Sequence, residues 1–105
     1  MFSLSIVDKL HREIADQLII ATPEWWKEAR LELVYTVVDG LDHCTHTIVN
    51  NQYPRNIVIA TDELFEATRR LVLYHKELGH PWKSAIFEVK QNDDAEWSFT
   101  AEFKY

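Results

Sequence analysis

The end of the chain carries its clearest pattern. Trp97, Phe99, Ala101, Phe103 and Tyr105 alternate with Glu96, Ser98, Thr100, Glu102 and Lys104. A period of two is that of a strand with one row in a core and the other in water or against a partner. A preceding strand spans about Trp82 to Lys90, and Asn92-Asp93-Asp94 between the two reads as a hairpin turn. Upstream, Leu31, Leu33, Tyr35 and Val37 alternate with Arg30, Glu32, Val34 and Thr36. Asp39-Gly40 supplies a turn, because glycine tolerates positive φ, and a second strand is expected from His43 to Val49.

Two segments change period. Ile6, Leu10, Ile14 and Leu18, joined by Val7 and Ala21, form one stripe opposite Asp8, Arg12, Glu13, Asp16 and Gln17. That spacing predicts an amphipathic helix, capped by Ser3 or Ser5 and ended by Pro23. Thr61 or Asp62 caps a second helix, with Asp62 and Glu63 favourably placed in its first turn. Leu64, Phe65, Leu71, Val72, His75 and Leu78 form its expected buried stripe, and Gly79 and Pro81 close it. Asn50 to Asn56 is a polar loop. Ile57-Val58-Ile59 reads either as a short strand or as a buried approach to the second helix.

The order α-β-β-α-β-β predicts an α+β fold in one domain, 1–105. Both helices pack on one face of a four-stranded antiparallel sheet, five-stranded if residues 57–59 join it. A meander is the expected strand connection. Trp82 and Trp97 are expected in the core. Trp25 and Trp26 are adjacent, so one of them points away from the other.

Composition narrows the function classes. A chain of 105 residues supports one core but not two. Its formal charge of −6 makes nucleic acid a poor partner, because phosphate contacts need a basic patch. A basic protein surface suits it better, since opposite charge speeds encounter. One cysteine, Cys44, leaves no internal disulfide and fits a reducing compartment. No secretory signal is expected at Met1-Phe2-Ser3-Leu4-Ser5, no run is long enough to cross a bilayer, and a cytoplasmic location follows.

His43, Cys44 and His46 are the only cluster of ligand-type atoms. On a strand, Cys44 and His46 share a face while His43 lies opposite. Zinc needs three or four convergent donors, so a metal site requires His75, His80 or a carboxylate from elsewhere. Cys44 with one of these histidines is also the only conceivable nucleophile and base. No glycine-rich elbow or phosphate cradle accompanies it. No metal, cofactor or catalytic residue is therefore expected, and a small metal-dependent enzyme centred on Cys44 and His46 is the least favoured class. His75 reads as a boundary histidine on the second helix.

Several features together resemble the YezG-like immunity proteins, small cytosolic antidotes to secreted bacterial toxins. They are the leading helix with Ile14-Ala15-Asp16-Gln17-Leu18, then Pro23-Glu24-Trp25-Trp26, and the strand pair around Asp39-Gly40. The second helix entered by Thr61-Asp62-Glu63-Leu64, Pro81-Trp82, and the final Phe99-Thr100-Ala101-Glu102-Phe103-Lys104-Tyr105 complete the set. In that family the last strand runs on into acidic residues, whereas this sequence stops at Tyr105, so no contact from such a tail is expected. The resemblance implies a stoichiometric inhibitor, not an enzyme, that binds the C-terminal domain of a cognate toxin, commonly a nuclease. Free in solution it would be a monomer or a weak homodimer. A non-toxin interaction or homodimerisation module using the sheet edge or open face is the alternative.

The expected contact residues are acidic. If the helices cover the Leu31, Ala85, Phe87, Trp97 and Phe99 face, then Glu32, Glu88, Glu96 and Glu102 lie on the open one. Asp93 and Asp94 add charge at the hairpin turn. From Glu88 to Tyr105 the acids Glu88, Asp93, Asp94, Glu96 and Glu102 face only Lys90 and Lys104. Such a face can imitate the charge of a nucleic-acid substrate.

Overall fold

The computed structural model describes residues 4–53, 55, 56, 58–79 and 81–105. Its elements are α1 (Leu4–Ala21), β1 (Glu28–Val38), β2 (Leu41–Val49), α2 (Asp62–Glu77), β3 (Ser84–Gln91) and β4 (Trp97–Lys104). The four strands form one antiparallel sheet in the order β2-β1-β3-β4. The α+β architecture and element order match the sequence expectation; the meander does not. β2 and β3 both run antiparallel to β1 and flank it, so they are parallel to each other and joined by α2. β1 takes the centre because Ala29, Leu31 and Leu33 are fully buried and need neighbours on both sides.

Of the two readings left open for residues 57–59, the described residues show no fifth strand. Val58 makes a single antiparallel bridge to Ile48, and Ile57 lies outside the described residues.

Local chemistry sets the helix ends. Thr61 caps α2: its backbone is extended and its Oγ1 accepts from Leu64 N–H at 3.1 Å. Gly79, at φ +77°, follows Leu78 and takes the left-handed position that ends the helix. Ser5 lies inside α1 rather than at its cap, and Ser3 lies outside the described residues.

The core sits between the sheet and both helices. Leu31, Leu33, Ala85, Phe87 and Val89 face Ile14, Leu18, Leu64, Ala67 and Leu71. Each large side chain buried this way contributes about 1.5–3 kcal/mol relative to exposure. Trp82 and Trp26 close the core, both essentially inaccessible, while Trp25 is 53% exposed. Trp97 only packs against the core margin.

Four stripes are less buried than their periodicity suggests, beginning with Ile6 of α1 and Val37 of β1, both exposed. Phe65 of α2 and Leu78 at its C-cap are exposed, and Ala67 and Thr68 take buried places on that helix instead. Phe99 shares the helix-facing side of β4 with Trp97 and Phe103 yet is exposed, as is Tyr105 just past the strand. α1 lies over β3 and β1 rather than over β4, so the outermost strand is only partly roofed. What roof it has is aromatic. Phe103 stacks on His11 at 5.4 Å and packs against His75 at 5.3 Å. Burial, with a smaller effect from His75, lowers the proton affinity of His11.

Candidate functional site

Strand register fixes what stands on the open side of the sheet. Three cross-strand rows run from β2 to β4: Val49-Arg30-Glu88-Thr100, Thr47-Glu32-Ile86-Glu102 and Thr45-Val34-Ser84-Lys104. Ile86 therefore stands between Glu32 and Glu102. Directly opposed residues are about 5 Å apart, which puts the two carboxylate stems about 10 Å apart across it. Glu32, Val34, Ile86, Glu102 and Lys104 line a shallow depression of about 260 Å³. Val34 is 47% exposed, so its floor is apolar and accessible.

The expected acidic residues divide into two groups. Glu32, Glu88 and Glu102 come together on the sheet face. Asp93, Asp94 and Glu96 sit at the end of the β3–β4 hairpin. There Asn92 Oδ1 accepts from the backbone N–H of Asp94 and of Glu96, each at 2.9 Å, and Ala95 turns the chain at φ +63°. That geometry leaves all three carboxylates exposed.

The face is less acidic than the carboxylates alone suggest. Arg30 Nε pairs with Glu32 Oε2 at 3.0 Å, and Lys90 Nζ lies 3.5 Å from Glu88 Oε1. Residues two apart on a strand share a face, so Arg30 and Lys90 arrive there with Glu32 and Glu88. The sequence carries this signal: Lys90 is weighed against the acids there, but Arg30 is not.

A second surface was not anticipated. β1 pairs with β2 out to Val38 but with β3 only out to Val34, so the β1–β2 hairpin extends past the rest of the sheet. Between β2 and α2 runs an open groove of about 830 Å³, with Tyr35, Cys44, His46, Phe65, Val72 and Leu73 among its walls. Phe65 is exposed because it lines this groove. The sequence signal nearest to this surface was the apolar run Val37, Val38 and Leu41 around the Asp39-Gly40 turn, all three exposed.

Polar contacts hold the groove at both ends. His46 Nδ1 is 3.1 Å from the Cys44 carbonyl, which can only accept, so the ring is protonated there. Its Nε2 lies 2.7 Å from Thr68 Oγ1, and neutral His46 accepts that hydroxyl's proton. At the other end, Asp42 accepts from Tyr35 O–H and from Lys76 Nζ, both at 2.8 Å. Lys76 first, and then Tyr35, hold the Asp42 carboxyl below its ordinary range.

Cys44 and His46 share a face as expected, but they do not form a nucleophile and base. The imidazole addresses the Cys44 carbonyl rather than its sulfur. Burial pushes the thiol up to about 11, which suppresses the thiolate at neutral pH. Among the described residues no three of His, Cys, Asp and Glu converge on a common point suited to a metal ion. His80 lies outside the described residues. No described helix is long and apolar enough to cross a membrane.

No known protein-family model matches this chain, and no curated protein matches it either.

Proposed function

We propose that this protein acts by binding, as a cytoplasmic immunity protein that occludes the substrate surface of a toxin domain. The observation that carries the reading is the depression on the open sheet face, where half-buried Ile86 stands between Glu32 and Glu102 and exposed Val34 lies in the next row. An apolar centre with a charged rim is the anatomy of a protein interface: desolvation at the centre slows release, and charge at the rim speeds encounter. The rim here would meet the basic groove with which a nuclease holds phosphate. Glu102 and Glu32 would stand in for two phosphates, with Glu88 beside them. Asp93, Asp94 and Glu96 would extend the negative field past the edge of the contact and steer approach. No covalent step is involved.

Arg30 and Lys90 give the reading a specific form. A nuclease arginine that takes Glu32 must displace Arg30, so only a cation better placed than Arg30 gains by it. This is how a mixed face discriminates among basic partners rather than binding all of them.

The experiment is growth rescue. An immunity gene is expected to follow its toxin gene; the C-terminal region of a toxin found there is expressed alone and together with the chain. Restored growth with a one-to-one complex supports the reading. Continued arrest, with no complex on gel filtration, removes it.

A further inference from the structure

The outer edge of β2 is open for pairing, and register shows which residues offer it. Tyr35 N–H donates to the Lys83 carbonyl at 2.8 Å, away from β2. Its partner across the ladder is Cys44, so Cys44 directs its own N–H and C=O outward. Asp42, His46 and Ile48 share that parity. Ile48 uses it in the bridge to Val58, and among the described residues no other strand pairs with this edge. The stretch from Asp42 to Thr47 holds no lysine, proline or positive-φ residue, the usual devices that spoil an edge.

The outward-directed residues are also the ones whose side chains face the helices. Cys44 and His46 form part of the groove beneath α2. An added strand would send every second side chain into that same 830 Å³ space. The groove and the free edge are therefore one site.

Sterics and charge select its occupant. α1 lies over β3 and β1, and α2 packs beside α1. Helices pack 8–10 Å apart and strands about 4.8 Å apart, which stands α2 roughly over the β2 edge. A second copy joined edge to edge would bring its own α2 to the same place; a single extended segment would not. Along the helix wall, Asp62 and Glu66 outnumber Arg69, while Asp42 at the far end is already engaged by Lys76. The chain as a whole carries −6.

We propose that the β2 edge and its groove take up an extended, basic segment of a partner protein by strand addition. Apolar side chains of the segment would cover Cys44, Val72 and Leu73, and a basic one at the His46 end would face Asp62 and Glu66. Backbone bonds from Asp42, His46 and the N–H of Cys44, whose carbonyl already takes the His46 ring, would give affinity, and the groove would give selectivity. This surface is opposite the acidic face, so the inference does not depend on the toxin reading.

The test uses the full chain, labelled with ¹⁵N, and the peptide acetyl-Lys-Val-Lys-Val-Lys-Val-Lys-amide, with its glutamate-for-lysine counterpart as control. Saturable shifts at the amides of Asp42, Cys44 and His46 and along α2 are expected, with the acidic peptide roughly tenfold weaker, equivalent to about 1.4 kcal/mol. Cys44→Pro removes an outward N–H and should abolish the shifts. Because that position is half-buried, Glu66→Lys at an exposed one serves as a second variant and should erase the preference for lysine. Shifts elsewhere, no shifts, equal binding of both peptides, or dimerisation through β2 without peptide would each overturn the proposal.

Discussion

His46 Nε2 and Thr68 Oγ1 lie 2.7 Å apart, and this bond ties the outer strand β2 to α2 across the mouth of the groove. Thr68 Oγ1 is also 2.9 Å from the Phe65 carbonyl, and the hydroxyl has one proton to give. With His46 neutral, that proton goes to the ring. With His46 charged, the ring donates instead and the hydroxyl turns to Phe65. Thr68 is fully buried, so losing its oxygen strands a polar nitrogen. Thr68→Val should cost about 1–3 kcal/mol in urea unfolding, more than the isosteric exchange costs at an exposed position such as Thr36.

Acid should weaken the fold through two histidines. Burial lowers the proton affinity of His46 and of His11 below the ordinary value of 6.5. The unfolded chain then binds protons first as pH falls. Stability from this source is complete above about 6.5 and is lost as pH drops from there through the folded-state values. Urea midpoints measured between pH 8 and pH 5 should fall across that window. His46→Gln should shrink the fall, and a flat profile would contradict the assignment.

The thiol of Cys44 should be slow. Its shift from 9.0 to about 11 leaves about one hundredth of the thiolate an exposed cysteine would hold at the same pH. Reaction with an aromatic disulfide reagent at pH 8 should be about 100-fold slower in the folded chain than in urea.

The tryptophan pair should separate cleanly. Trp26→Ala removes a side chain that is 1% exposed and should cost about 3–5 kcal/mol, enough to threaten the fold of a domain this size. Trp25→Ala removes an exposed ring that meets Tyr53 edge-on at 4.5 Å, and should cost about 0.5–1.5 kcal/mol. Thermal unfolding of the two variants tests the contrast.

Alternation and capping made most of this architecture legible. The strand faces follow from Leu31, Leu33 and Phe87, and the Thr61 cap and Gly79 terminus of α2 follow from local chemistry alone. What escaped depended on lateral position in the sheet. The row Trp97-Phe99-Ala101-Phe103-Tyr105 alternates as a central strand would, but β4 is an edge and α1 leaves it partly uncovered. The place of β1 between β2 and β3 is a long-range pairing that no local pattern encodes. The groove depends on β1 outlasting β3, which a single strand's periodicity cannot reveal. Of the acidic residues, Glu32, Glu88 and Glu102 were placed by parity. The pairing of Arg30 with Glu32 was equally available from their spacing.

The measurement that bears most directly on the proposed function is the affinity of a toxin domain neutralised in the growth test for three proteins: the native chain, a variant with Glu32, Glu88 and Glu102 all changed to Lys, and Glu66→Lys. All four positions are on the surface, and circular dichroism should show every protein folded. If the open face occludes the toxin, the triple variant should bind at least about 100-fold more weakly, some 2.7 kcal/mol, and fail to restore growth, while Glu66→Lys does both normally. Full affinity and full protection from the triple variant would contradict the account and move the toxin contact off this face.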